Sequence, residues 1–243
     1  MRIAAMLLTL TLASSALGGE IFIPATYRGN GANGSVWRTG ISVTNISPDP
    51  GFPVPTTITL HRENGEPLSV TMPIATYEVI SVDDALFGWF GLEEAAGIVR
   101  VTWDNANARI TANARIYNIA GQGGEYGQGV PAVRPDRLVS DVFLPGVTGV
   151  NGNRTNVGVS NPHNVHSLVW VELIDTAGNS RGAFTIAVPP RSYRQLNDIF
   201  SYFQSGPLNA AMVRVTGVDQ TVYAYASVVR NDSGDPTYVA PPE

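Results

Sequence analysis

The feature that most constrains the fold of this chain is that its second half repeats its first. The stretch WRTGISVTN at residues 37–45 shares an Arg-Thr pair, a valine and a final asparagine with NRTNVGVSN at residues 153–161. Arg38 and Arg154 lie 116 positions apart, and most other matched residues lie 113 to 116 apart. A preserved order with a small drift in offset indicates an internal repeat. We therefore predict that the chain arose by duplication and folds as two copies of one unit.

Each copy has the sequence pattern of an all-β domain. Short segments rich in valine, isoleucine, threonine and tyrosine are separated by glycine, proline, asparagine or aspartate. Such spacing is typical of antiparallel sandwiches and barrels. We expect two tandem Ig-like or Greek-key β-sandwiches, each with seven or eight strands and one short helix. In the first copy the predicted strands lie near residues 21–23, 37–45, 56–62, 68–72, 76–81, 97–103, 108–118 and 129–133, and the second copy follows the same order.

The helix is predicted where VDDALFGWFG and LNDIFSYFQ begin with good N-cap residues and continue with apolar residues at helical spacing. Asp84 and Asp198 lie at these helix starts, 114 positions apart, and Arg100 and Arg214 have the same offset. We expect each aspartate to flank its helix and to pair with the strand arginine of its copy. Residues matched in both copies are assigned to the scaffold, and the charged ones are Asp84, Arg100, Asp198, Arg214, Arg38 and Arg154.

The N-terminal residues predict export. Arg2 is followed by an apolar run and then by small residues up to Gly18, which is the pattern of a secretory signal peptide. The apolar run is shorter than the roughly 20 residues that a membrane span needs. We expect cleavage after Gly18 and a secreted, periplasmic or cell-surface location. The expected organisation is a signal peptide at residues 1–18, a first sandwich at 19–133, a linker at 134–141 and a second sandwich at 142–243.

Composition excludes several function classes. The chain has no cysteine, so no disulfide stabilises it. It also has no lysine, which P-loops, Schiff-base enzymes and Ser-Lys dyads require. The net charge of −5 gives no basic footprint for nucleic acid. Because no catalytic motif is present either, we expect a protein that is not an enzyme and has no cofactor.

Histidines and acidic turns offer only weak metal sites. His61 ends a predicted strand on its outward side, so we expect it to be exposed, and we expect the same of the loop that holds His163 and His166. Asp232 and Asp235 lie in NDSGDP, which resembles a calcium loop in its oxygen-rich composition. The same residues favour a simple turn, and we predict a turn rather than a metal site.

Three tryptophans occur in one copy only, which makes them candidates for ligand binding together with Tyr126. A large rigid ring can stack on a sugar or anchor a protein partner. The same rings could instead fill the contact between the copies. In the alignment of the two copies, Trp37 corresponds to Asn153, Trp103 to Gly217 and Trp170 to Thr57.

The tandem unit, with its RT strand, N-D-I-F turn, VRVT strand and NDSGDPTYV tail, resembles modules that recur in uncharacterised secreted bacterial proteins. The resemblance covers nearly the whole mature chain and implies a fold without implying an activity. We expect a secreted, non-enzymatic structural, adhesive or assembly protein, and the alternative is a carbohydrate-binding module that uses exposed tryptophans.

The two alternatives differ in what they require of the rings and of the partner. At least two exposed and coplanar rings would favour glycan binding, whereas burial between the copies would favour the structural alternative. The expected partners are a cell-surface protein or a glycan. Edge strands at Ile21 or at the C-terminal TYVAPP could also mediate self-association. We expect neither nucleic-acid binding nor a membrane span.

Overall fold

The computed structural model describes residues 18–48, 51, 53–63, 65–120 and 124–242, and their architecture is all-β. The predicted signal peptide lies outside these residues except for Gly18. Within the described residues, no helix has the length and apolarity that crossing a membrane requires. The expected all-β fold with antiparallel sheets is therefore confirmed, and its sheets are consistent with β-sandwiches.

Eight strands and one helix form the first half of the described chain. Their bounds are β1 (Gly19–Asn30), β2 (Val36–Asn45), β3 (Val54–Arg62), β4 (Leu68–Ile74), β5 (Val79–Val82), α1 (Ala85–Gly88), β6 (Ala95–Trp103), β7 (Ile110–Asn118) and β8 (Tyr126–Pro131). A 3-10 turn at Ala32–Gly34 connects β1 to β2. Each of the eight strand segments predicted for this half overlaps one of these strands.

The second half contains the same series of elements. Their bounds are β9 (Asp141–Val147), β10 (Asn153–Asn161), β11 (Ser167–Asp175), β12 (Ser180–Val188), β13 (Ser192–Leu196), α2 (Ile199–Tyr202), β14 (Ala211–Gly217), β15 (Tyr223–Arg230) and β16 (Pro236–Val239). A 3-10 turn at Pro135–Arg137 lies in the segment between the halves. The short helices α1 and α2 lie where they were predicted.

Both halves pair their strands in the same antiparallel order. In the first half, row I joins β4, β3, β6 and β1, and row II joins β5, β2, β7 and β8. In the second half, sheet III joins β13, β10, β15 and β16, and sheet IV joins β12, β11, β14 and β9. Sheet IV therefore has the order of row I, and sheet III has that of row II. Duplication of an ancestral unit is our interpretation of this match.

Residues at the same place in the two pairing patterns are called equivalent below. Trp37 pairs with Asn118, whereas Asn153 pairs with Arg230. Because Trp37 and Asn153 are equivalent, Asn118 is equivalent to Arg230.

The halves differ at β1. This strand has 12 residues, pairs with β6 along most of its length, and then pairs with β2 at Gly29 and Asn30. It therefore joins rows I and II into one eight-stranded sheet. Its equivalent β9 has seven residues and pairs only with β14, so sheets III and IV stay separate. On the side of β1 that faces away from β6, Phe22 pairs with Val133 in an isolated β-bridge. Contrary to the expectation from the sequence, Ile21 therefore does not lie on an open edge.

Strand alternation explains how the cores form. Ile21 and Ile23 point into the core of the first half and are buried, as are Val99 and Val101 on the neighbouring strand β6. Residues between them point to the opposite face of row I. Phe22 belongs to that outer face, yet only 3% of its surface is exposed. Another part of the molecule must therefore cover it.

The second half covers the outer face of row I with the outer face of sheet III. The ring of Tyr223 meets that of Phe22 edge-on, with centroids 6.4 Å apart. The Ser160 hydroxyl donates to the Pro24 carbonyl oxygen at 2.6 Å in a buried hydrogen bond. The Val139 and Val222 backbones form a bridge that ties the connecting segment to the second half. The halves thus stack through two sheet faces.

Candidate functional site

A cleft of about 510 Å³ lies between the first half and sheet III of the second half. Both halves contribute to its walls, so it exists only in the assembled chain. Its described lining consists of aromatic rings, amides, apolar residues, one serine and one arginine. The polar and aromatic members are Tyr27, Asn30, Trp37, Gln128, Arg154, Asn156, Tyr193, Gln195, Asn197, Tyr225 and Ser227.

Trp37 enters the cleft because β2 begins beside the end of the long strand β1. It pairs there with Gly29, and its indole N–H donates to the Ser35 hydroxyl at 2.8 Å. Gly31 lies against the ring edge, and a Cβ atom at this position would be 2.5 Å from the indole nitrogen. The half-buried ring is thus held in one orientation by its own turn.

Tyrosines of sheet III form the opposite wall. Tyr225 lies over Gly158 of the adjacent strand, where a Cβ atom would come within 2.2 Å of the tyrosine ring. The ring also stacks on Tyr238 at 5.2 Å between centroids. Burial raises the pKa of Tyr225 well above its usual value, so its hydroxyl stays protonated. The tyrosine rings therefore give this wall a neutral aromatic surface.

Amide side chains around the rings have defined partners. The Ser227 hydroxyl donates to the Gln128 side-chain oxygen at 2.7 Å across the junction of the halves. The Asn156 side-chain oxygen accepts the backbone N–H of Asp198 at 3.0 Å. The Gln195 amide nitrogen donates to Asn197 Oδ1 at 2.8 Å. Each of these amides retains a further donor or acceptor that can serve a ligand.

Arg154 is the single charged residue in the described lining of the cleft. No carboxylate of the described residues lies within 4.0 Å of its guanidinium, and it donates instead to the neutral Asn231 side-chain oxygen. Burial lowers the pKa of this arginine, and the more distant Asp198 opposes that effect. The site therefore presents a half-buried cation without a close counter-ion.

The equivalent arginine of the first half is neutralised. Arg38 Nε lies 3.1 Å from Asp84 Oδ2, and Arg28 Nε donates to the same oxygen at 2.9 Å. Asp198 is the equivalent of Asp84, but its backbone is left-handed, with φ of 48°, and its carboxylate accepts the Ser201 hydroxyl at 2.5 Å. The change in backbone turns the acid away from Arg154.

The predicted ion pairs of Asp84 with Arg100 and of Asp198 with Arg214 are wrong. Arg100 binds Glu20 at 2.6 Å, and Arg214 binds Asp141 at 2.9 and 3.0 Å. Glu20 and Asp141 are themselves equivalent residues on β1 and β9, strands that pair with those of the arginines. Asp84 and Asp198 do occupy the N-cap positions of α1 and α2, but neither side chain caps its helix.

The four predicted ligand-binding rings lie in different places. Trp37 lines the cleft and Tyr126 is half-buried on β8. Trp103 belongs to the core of the first half, with 7% of its surface exposed. Trp170 is exposed on the outer face of sheet IV. Of these four rings only Trp170 is exposed, so the two exposed, coplanar rings that would favour glycan binding are not found among them.

The predictions for the histidines and for the acidic turn also have different outcomes. His61 is only 5% exposed, because the second half covers it, so the predicted exposure is wrong. His163 is half-buried, with its Nε2 atom 2.9 Å from the Thr221 carbonyl oxygen, while His166 is exposed as expected. Residues 231–233 form the predicted turn, in which Asp232 pairs with Arg230 at 3.1 Å. The described residues contain no group of three or more potential metal ligands.

Sequence comparison of the copies singled out Trp37 but missed the other residues of the cleft. Tyr223 and Tyr225 alternate with Ala224 and Ala226 on β15, so their rings point away from the core of the second half. That pattern in YAYAS was a readable signal of a covered outer face. In comparisons with known proteins, the chain matches no protein-family model and no curated protein sequence.

Proposed function

We propose that this protein is a secreted, non-enzymatic adhesive protein that binds an acidic glycan in the cleft between its halves. The observation that carries the proposal is the position of Arg154, a half-buried guanidinium without a close carboxylate in a lining of rings and amides. Export rests on the predicted signal peptide.

The composition of the cleft suits a sugar chain. Its volume of about 510 Å³ falls within the usual range for small-ligand sites of roughly 300 to 1,000 Å³. The rings of Trp37 and Tyr27 offer apolar surface with a polar edge, and amides such as Gln128 and Asn156 bind hydroxyl groups. Together these groups match the alternating apolar and hydroxyl surfaces of a saccharide.

Arg154 accounts for the preference of the cleft for an acidic glycan over a neutral one. A guanidinium binds a carboxylate through parallel, charge-assisted hydrogen bonds, which are about twice as strong as neutral ones. Its equivalent Arg38 cannot bind a ligand carboxylate in this way, because its guanidinium already pairs with Asp84. A uronic acid residue in the glycan would supply the counter-ion that Asp198 does not.

The test is calorimetric titration of the purified mature chain with uronate-containing oligosaccharides and with neutral oligosaccharides of matched length. We expect Arg154→Gln to weaken binding of the acidic glycan by about 10-fold or more, since a hydrogen bond to a charged group contributes about 1.5–3 kcal/mol. Neutral glycans, if bound weakly, should be unaffected by this change. Trp37→Ala should weaken both.

Arg181→Gln is the matched control, because it removes the same charge from an exposed residue outside the cleft lining. It should leave both affinities unchanged. Failure of the wild-type chain to bind any oligosaccharide would contradict the proposal. Equal losses of affinity for the acidic glycan in the Arg154 and Arg181 variants would show that net charge, rather than the cleft, governs binding.

A further inference from the structure

The chain contains its own example of how one unit docks on another. The outer face of sheet III covers the outer face of row I through Ser160 and Pro24, through Tyr193, whose hydroxyl lies 3.5 Å from the Thr26 carbonyl oxygen, and through Phe22. Row I and sheet IV are equivalent, as are sheet III and row II. The internal contact therefore leaves one free face of each kind, on sheet IV and on row II.

The free face of sheet IV keeps the apolar character of its covered equivalent. Phe143 is the equivalent of Phe22, and its exposed surface is 38% instead of 3%. Met212, the equivalent of the buried Ile98, is half-buried. Trp170 adds a further exposed ring to the same face. An aggregate of exposed apolar side chains on one sheet face indicates an interaction surface.

The free face of row II keeps part of the docking surface of sheet III. Val79 is the equivalent of Tyr193 and is 58% exposed. Ile46 stands where the second half has Pro162 and is 48% exposed. Thr44 is the equivalent of Ser160 and carries the hydroxyl that could donate to a carbonyl, as Ser160 does to Pro24. The free face thus retains a hydroxyl donor and two exposed apolar residues.

We propose that row II of one chain docks on sheet IV of a second copy, repeating between chains the contact that joins the two halves. Such an interface is heterologous, because the two surfaces in contact are different. Each added chain again presents one free face of each kind. The result is an open, head-to-tail series rather than a closed dimer.

The contact between chains is weaker than the internal one. Thr111 and Asn113 occupy the positions equivalent to Tyr223 and Tyr225, so the aromatic area that fills the internal contact is missing. The internal contact also benefits from a covalent connection, which raises the effective concentration of its two faces. Association between chains should therefore be reversible and dependent on concentration.

Sedimentation velocity of the mature chain, from micromolar to millimolar concentration, tests the proposal. We expect the average mass to rise more than about twofold, without a plateau at the dimer, as an open heterologous contact requires. Phe143→Glu blocks the sheet IV face and Ile46→Glu blocks the row II face; both residues are exposed, so folding should persist and can be verified by circular dichroism.

Each variant alone should remain monomeric, because every contact needs one row II face and one sheet IV face, and all chains of a single variant lack the same one of these. An equimolar mixture of the two variants should form a dimer and nothing larger, because one open face of each kind remains. Loss of association in the Phe143 variant alone, with a stable dimer of the Ile46 variant, would indicate a symmetric contact and overturn the proposal. A wild-type chain that stays monomeric at every concentration would overturn it as well.

Discussion

Trp37 illustrates what a comparison of repeats predicts about single residues. Its disagreement with Asn153 marked the position as specialised, and the structure places it in the cleft between the halves. Trp103 also differed between the copies, yet it lies in the core, because a residue in one copy can replace packing that the other copy achieves differently. A difference between copies therefore identifies candidates without separating surface from core.

His61 shows why exposure could not be predicted from one strand. Alternation correctly assigns it to the outer face of row I, but that face is covered by the second half. Its Nε2 atom is buried without a hydrogen-bond partner among the described residues. Burial, with Arg191 and Arg100 nearby, lowers the pKa of His61 from 6.5 to about 4.

This shift predicts a pH dependence of stability. The folded state favours neutral His61, so the unfolded chain binds more protons between pH 6.5 and about 4, and stability falls as the pH decreases through this interval. The loss should reach roughly 3 kcal/mol at the acidic end, and no effect is expected above pH 6.5. Urea denaturation across this range measures it.

The control for this prediction comes from the repeat. Ile174 is the equivalent of His61, so His61→Ile places a residue that the same fold already accepts there. The variant should lose the part of the pH dependence that His61 causes. An identical slope in the wild type and the variant would count against the assignment.

At the level of elements, the ion pairs that recur in both halves join neighbouring strands and do not involve the helix starts. Arg100 with Glu20 and Arg214 with Asp141 join equivalent neighbouring strands, and both acids directly precede the matched IFIP and VFLP segments. The pairing was readable from the sequence once β1 and β6 were known to be neighbours. Sequence offsets alone could not supply that neighbourhood, because strand order is a three-dimensional property.

The helix-start aspartates should differ in their contribution to stability. Asp84 binds Arg28 and Arg38, and the Arg28 side chain is only 9% exposed. Asp84→Asn should cost about 3 kcal/mol, because it leaves a buried guanidinium with less compensation. Asp198→Asn should cost less than about 1 kcal/mol, since none of the described arginines lies within the ion-pair distance of Asp198. Chemical denaturation measures the loss in free energy of unfolding for each variant. Equal losses would contradict the prediction.

For the whole molecule, the sequence predicted the number, order and type of the strands but not how the two units meet. The strands follow from local patterns of apolar residues and turns, which a single unit contains. The stacking of sheet III on row I depends on side chains that are far apart in sequence, such as Ser160 and Pro24. The cleft forms at that junction, so only Trp37 and Arg154 of its lining were predicted in advance to matter, and Arg154 only as scaffold.

The stacked faces should make the halves unfold together. Tyr223 and Tyr225 of the second half belong to the same apolar cluster as the core of the first half. We expect one calorimetric transition for the wild type. Combining Tyr223→Thr with Tyr225→Asn, the residues at the equivalent first-half positions, should separate it into two. Two transitions in the wild-type chain would show that the contact does not couple the halves.

The extra length of β1 has a mechanical consequence. In the first half a continuous strand crosses from row I to row II, so its two sheets cannot separate without breaking a backbone ladder. Sheets III and IV share no strand, so no continuous strand opposes their separation. Under tension, the second half should therefore yield first, while the first half remains intact.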